Sequence, residues 1–206
     1  MMAPRVRAVV FDIGGVLLEW DPARVYRELV AGPAELAWFL SEVCTPEWNG
    51  TLDAGRPFDE ACDDLAGRHP AHAALIHAWK RQDEMIAGEV AGTVELVARL
   101  DDDGVPLYLL TNMPADIFAA RRERFAVLRR FRGAVVSGEE GVLKPSAEIF
   151  GRLRDRYRLR PAETLFVDDA EVNVKGARAA GFQAHRFVDP PTLAVALRDH
   201  GLAVPA

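Results

Sequence analysis

The chain is poor in cysteine. Cys44 and Cys62 are its only two in 206 residues, and they fit neither a disulfide framework nor a zinc spacing. They predict ordinary reduced, partly buried thiols of a cytoplasmic protein. Long apolar runs are missing too: none approaches the roughly 20 residues that a membrane span requires. Met1-Met2-Ala3-Pro4-Arg5 leads directly into an apolar segment, without the charged and then hydrophobic stretch of a secretory signal. Positive charge is in deficit, with 25 Lys and Arg against 31 Asp and Glu and a formal net charge of −6. That balance argues against a nucleic-acid binder, because phosphate-backbone affinity depends on clustered cations. Internal repeats and low-complexity tracts are also absent. The expectation is a chain without nucleic-acid or membrane partners, present as monomer or homodimer.

Half the residues are apolar, enough for one substantial core or a core plus a small insert. Short apolar runs at 6–11, 106–110, 133–136, 164–167 and 182–186 read as strands. Helical patterns at 93–100, 115–125, 146–157 and 172–180 lie between them. Strand and helix alternate, which predicts an α/β fold of Rossmann-like type, a central parallel sheet between two helical layers. Residues 19–89 break the rhythm. They show no strand pattern and four helical stretches, at 22–30, 33–43, 58–67 and 72–86, with Asp21-Pro22 and Arg56-Pro57 as the best-marked starts. The predicted organisation is a core of residues 1–18 and 90–206, with 19–89 inserted as a helical cap over the carboxyl ends of the strands.

Open α/β sheets bind ligands at those carboxyl ends. Asp12 ends the first strand, Thr111-Asn112 follow the second, Lys144 stands before Pro145 where a helix begins, and Asp168-Asp169 close a fourth strand. Carboxylate oxygens suit Mg²⁺, which accepts few protein ligands and keeps several waters. A Lys charge and hydroxyl or amide donors suit phosphoryl oxygens, and a central carboxylate can attack phosphorus.

These residues resemble the motifs of the haloacid dehalogenase-like superfamily along essentially the whole chain: Asp12-Ile13-Gly14-Gly15-Val16, then Thr111-Asn112, then Lys144-Pro145, then Asp168-Asp169 with Asn173. Glu47-Trp48, Leu52-Asp53 with Gly55, and Leu143-Lys144-Pro145 with Ile149-Phe150 are most similar to the small bacterial sugar-phosphate phosphatases and the phosphatase half of soluble epoxide hydrolases. The resemblance implies a phosphomonoesterase acting on a small phosphorylated metabolite, with Asp12 as nucleophile. It implies Mg²⁺ held by Asp12, the Gly14 carbonyl, Asp169 directly and Asp168 from the outer shell. Thr111 and Lys144 would bind the phosphoryl oxygens, Asn112 would add donors, and Asn173 would orient the acids.

One departure stands out. Gly14 occupies the position where most phosphatases of the superfamily carry a second aspartate, the general acid and base, whose help is typically worth about 10²–10⁴ in rate. A good leaving group, an acid borrowed from the cap (Glu19, Glu47 or Asp53), or a catalytically weak or inactive phospho-ligand binder would each account for it. A dehalogenase also lacks that acid, but three clustered carboxylates without a cation would repel one another. Trp20 and Trp48 lie where a loop could set a ring over a sugar face, while Trp38 and Trp79 read as cap packing. His69 and His72 read as a solvated turn, Asp101-Asp102-Asp103 as a helix end closed by Gly104, and the arginines at 121, 122, 124, 129, 130 and 132 as a solvated helix end and loop, with a partner or anion surface as the alternative.

Overall fold

A computed structural model describes residues 5–204. Residues 1–4, on which the reading of a missing secretory signal partly rests, lie outside the described residues, as do 205 and 206. Among the described residues seven strands are present: β1 Ala8–Phe11, β2 Leu18–Trp20, β3 Ile86–Glu89, β4 Leu107–Thr111, β5 Gly133–Val136, β6 Thr164–Asp168 and β7 Gln183–Arg186. Five of them form one sheet in the order β5-β4-β1-β6-β7, every pair parallel. β1 is central and buried along its length, as expected for an uninterrupted apolar run in a sheet covered on both faces.

The helices are α1 Ala23–Tyr26, α2 Pro33–Trp38, α3 Pro46–Asp53, α4 Phe58–Arg68, α5 Ala73–His77, α6 Ala91–Asp102, α7 Ala115–Arg124, α8 Ser137–Glu140, α9 Ala147–Tyr157, α10 Glu171–Ala179 and α11 Pro190–Asp199. Alternation along the strands sorts the core into two layers. Val9, Phe11, Leu109 and Val167 pack against α6, α7 and α11, while Val10, Leu110 and Phe166 pack against α9 and α10. The parallel α/β architecture predicted from the sequence is therefore the observed one. A third apolar cluster, containing Tyr26, Phe39, Trp48, Leu52, Cys62 and Trp79, gathers α1 to α5.

Three differences from the sequence reading have physical causes. The stretch 19–89 is not free of strands: β2 and β3 pair antiparallel through Leu18↔Glu89 and Trp20↔Ile86. Their sequences, Leu-Glu-Trp and Ile-Ala-Gly-Glu, are too short and too polar to show a period, so only the long-range pairing defines them. The pattern at 72–86 is not one helix, because α5 gives way to a 3₁₀ turn at Ala78–Lys80 and then to β3. Helix α3 was not foreseen, although Thr45 caps it by accepting from the Trp48 N–H at 3.2 Å and Pro46 occupies its first turn. Helix α11 begins the same way, with Asp189 accepting from the Thr192 N–H at 2.8 Å ahead of Pro190.

Several of the minor readings match the structure. Gly104, at φ 77°, closes α6, and Asp101 and Asp102 pair with Arg130. Cys44 and Cys62 are free, as expected, and more fully buried than expected, whereas His72 is not a solvated side chain: it is half-buried against Trp38. Among the described residues no helix is long and apolar enough to cross a membrane.

Candidate active site

The sheet places its polar groups by register. The ladder continues one residue past β1, since the Asp12 N–H donates to the Val167 carbonyl at 2.9 Å. Asp12 therefore stands level with the end of β6, where Asp168 lies, and beside Thr111 at the end of β4. Carboxylate oxygens of Asp12, Asp168 and Asp169 lie within 4.8 Å of one another. Gly15 makes this possible: at φ 72° it adopts a backbone conformation that favours glycine, and a Cβ there would collide with the Asp169 carboxylate.

Lys144 enters between two of these acids. Its Nζ lies 2.9 Å from Asp12 Oδ1 and 2.7 Å from Asp168 Oδ2, with its side chain 1% exposed. The Asn112 side chain grips the lysine's backbone from both sides, accepting from its N–H at 2.9 Å and donating to its carbonyl at 3.1 Å. Asn112 thus spends its amide on positioning Lys144. Asn173 donates to both Asp168 oxygens, at 3.0 and 3.2 Å, and the Ala170 N–H adds a third bond at 2.9 Å.

Burial pushes the Asp12 carboxyl up to about 7, with Lys144 opposing and Asp168 reinforcing the rise. Burial alone would lower the Lys144 pKa, but Asp12 and Asp168 outweigh it and the net shift is upward. The ammonium is therefore held charged by the two carboxylates beside it. Asp169 is also raised, chiefly by burial and then by Asp168.

Asp12, Asp169, Thr111 and Asn112 form one wall of a cavity of ≈ 220 Å³. Trp20, Asn49, Asp53, Gln82 and Arg121 line it as well. Of the three acids considered as replacements for the missing aspartate, Glu19 and Glu47 are exposed and line no part of this cavity, whereas Asp53 does. Helix α3 carries it there. Asn49, one turn earlier, donates to Asp53 Oδ2 at 2.9 Å and accepts from Trp79 Nε1 at 3.0 Å, and Ser137 Oγ donates to the Asp53 carbonyl at 2.5 Å. Burial raises the Asp53 carboxyl to about 7, against the pull of Arg121.

Two readings are corrected here. Trp48 does not face the cavity. It is 7% exposed, its indole N–H donates to the Ala61 carbonyl at 3.4 Å, and its ring packs edge-on against Trp79. Once α3 forms, Trp48 and Leu52 share its inward face, which decides the ring's direction. The arginine-rich segment is not uniformly solvated either, because Arg121 is buried. Phe118 and Arg121, three apart, define the inward face of α7, a spacing legible in the sequence but masked by the surrounding charge.

The acidic set also fits a hard divalent cation. Three carboxylates converge within 4.8 Å of one another, two of them, Asp12 and Asp169, on the cavity wall, and hard oxygen donors are what Mg²⁺ selects. A parallel sheet between two helical layers carries, at the tip of its central strand, a carboxylate flanked by a lysine and two further acids. The model of the haloacid dehalogenase-like hydrolases matches residues 6–181, and the chain belongs to that family. It is 28% identical to the sesquiterpene phosphatase astK of Aspergillus oryzae over 96% of this chain and 97% of that one. Identity to the phosphoglycolate phosphatase of Pectobacterium atrosepticum is also 28%, covering 85% of this chain and 77% of that one. A HAD-like hydrolase structure from Porphyromonas gingivalis superposes with a TM-score of 0.72 at 21% identity, covering 95% and 99% of the two chains.

Proposed function

We propose that the protein is a Mg²⁺-dependent phosphomonoesterase acting on a small phosphorylated metabolite, with a sugar phosphate as one candidate, through a phospho-Asp12 intermediate. The observation that carries this reading is the buried Asp12 carboxylate at the cavity wall, gathered with Thr111, Lys144, Asp168 and Asp169. An Asp12 oxygen attacks phosphorus, the P–O bond to the ester oxygen breaks, and the departing oxygen takes a proton from a carboxylic acid. Water then attacks the acyl phosphate, returns a proton to that acid's carboxylate, and frees Asp12 and inorganic phosphate. Lys144 and Thr111 hold the phosphoryl oxygens. Asp12, Asp169, the Gly14 carbonyl and Asp168 would hold Mg²⁺, which supplies neutralisation of charge on the phosphoryl group.

We assign the proton transfers to Asp53, the one acid of the three alternatives that lines the cavity. In this reading residues 19–89 act as a cap over a core of 1–18 and 90–206, and Trp20, 37% exposed at the cavity rim, offers a ring to the substrate. At ≈ 220 Å³ the cavity is smaller than the roughly 300–1,000 Å³ typical of drug-sized ligands, which favours a small ester. Two free buried thiols favour a cytoplasmic setting.

The test is phosphate release from a panel of phosphomonoesters. Chelation should lower it by roughly 10²-fold or more, and added Mg²⁺ should restore it. Release indifferent to chelation would rule the mechanism out.

Gly14 favours a second reading, an inert phospho-ligand binder, and a pair of variants separates the two. With Asp53 as acid, Asp53→Asn should lower kcat on alkyl phosphates by about 10²–10⁴. Gly14→Asp should then recover most of that loss in the Asp53→Asn background, because a Cβ at 14 meets only Trp20 Cβ, at an ordinary 3.9 Å. If the wild type binds esters without turnover and Gly14→Asp alone switches turnover on, the protein is the binder.

A further inference from the structure

We infer that Arg121 recognises a carboxylate on the substrate, so that the preferred esters are short phosphorylated carboxylic acids; this deepens the phosphomonoesterase reading and rests on it. Arg121 lies in the last turn of α7, on the inward face with Phe118, and is 3% exposed. It lines the same cavity as Asp12, beside Asp53 and Gln82. Among the described residues its Nη1 reaches only the Met113 sulfur, at 3.5 Å, while Nε and Nη2 have no hydrogen-bond partner.

A buried guanidinium left in this state is costly, and proteins normally pair such a group. The structure offers Arg121 no such pair: Asp53 and Asp83 act on it only at longer range. Burial lowers its pKa to about 10, so it remains charged at neutral pH. The two unsatisfied atoms also form a particular edge. Nε–H and Nη2–H point the same way, and that fork matches the two coplanar oxygens of a carboxylate. Lys144 does not serve the same group, because its ammonium is buried and shared by Asp12 and Asp168. Arg121 thus lines the same ≈ 220 Å³ cavity as the Asp12 wall while the Nε–Nη2 edge of its guanidinium is buried and uncommitted, and a short carbon skeleton with an anion at each end, once the side chain turns that edge toward it, satisfies both.

A matched pair of esters tests this. 3-Phosphoglycerate and glycerol 3-phosphate differ in a carboxylate against a hydroxymethyl group. The wild-type protein with Mg²⁺ should favour the first by roughly 10- to 100-fold in kcat/KM, mostly through KM, as expected for a charge-assisted pair. Arg121→Gln should erase the preference, and Arg121→Lys, which keeps the charge but not the fork, should retain only part of it. Equal wild-type rates on the two esters would overturn the inference, as would a preference that survives Arg121→Gln. A variant that shifts the pH profile of both esters equally would also overturn it, since Arg121 would then serve Asp53 instead. Should both variants fail to fold, the wild-type comparison still decides. If no ester releases phosphate, the phosphomonoesterase reading fails on its own account. Calorimetric binding of the same two esters then decides the inference, tighter binding of 3-phosphoglycerate supporting it and equal binding overturning it.

Discussion

Asp12→Asn is expected to reduce phosphate release by at least about 10⁴-fold while leaving the fold intact. The substitution is nearly isosteric, and the retained Oδ1 can keep both of its present bonds, accepting from the Ile13 N–H at 2.7 Å and from Lys144 Nζ at 2.9 Å. What disappears is the second carboxylate oxygen and the negative charge, and an amide does not attack phosphorus. The stability cost is therefore small beside the kinetic one. Two measurements identify the nucleophile rather than a mere metal ligand. Rapid quenching of the wild type during turnover should give a protein heavier by one phosphoryl group on the peptide containing Asp12, and the variant should give none. Excess Mg²⁺ should fail to rescue the variant. Restoration of turnover by Mg²⁺ would reduce Asp12 to a ligand and sink the covalent route.

The residues that the sequence exposed most clearly share a local signature. Asp12 and Asp168 each end an apolar run, Thr111 closes another, and Lys144 precedes a proline at a helix start, so a strand-end argument finds them without tertiary information. Asn173 comes from the family resemblance rather than from a strand end, and it lies near the start of α10, where its amide donates to Asp168. Asp53, Trp48 and Arg121 behave differently. The first two ride on α3, whose eight residues include a glycine and carry a hydrophobic face of only Trp48 and Leu52. Read as a loop, that segment leaves Trp48 free to meet a substrate and Asp53 on the surface; as a helix it turns the ring inward and delivers the acid to the cavity. Arg121 is hidden by composition, since five further arginines follow it by residue 132 and charge there is normally solvated. The rotation of α7 about its axis, fixed by Phe118 entering the core, is what buries it. Strands β2 and β3 are a purely tertiary feature, visible only after the chain has returned from the intervening helices.

Lys144→Met is the substitution expected to weaken the fold most, by about 3–5 kcal/mol at neutral pH. Methionine fills the volume beside Phe166, whose ring centre lies 5.5 Å from the ammonium, so the loss is electrostatic rather than steric. Without the cation, the Asp12 and Asp168 carboxylates face each other in a buried site with nothing between them. The loss should also depend on pH in a defined direction. Asp12 already titrates well above the ordinary 3.8 because of burial, and Lys144 is the largest influence holding it down; its removal raises the Asp12 pKa further. A carboxyl raised in the folded state contributes stability at low pH that is lost as pH rises through its folded value. The variant's deficit should therefore be modest near about pH 5.5, where Asp12 is protonated in variant and wild type alike, and largest near about pH 8, where the raised carboxyl of the folded variant must be protonated or left charged without its counter-ion, while the unfolded chain ionises freely. Added Mg²⁺ should recover part of the deficit at the higher pH, since a cation bound to the native acids stabilises the folded state by mass action. Urea midpoints at the two pH values, with and without Mg²⁺, measure all of this. A deficit independent of both pH and Mg²⁺ would show that Lys144 is not the counter-charge of these acids, and would remove the electrostatic basis for placing the phosphoryl group between them.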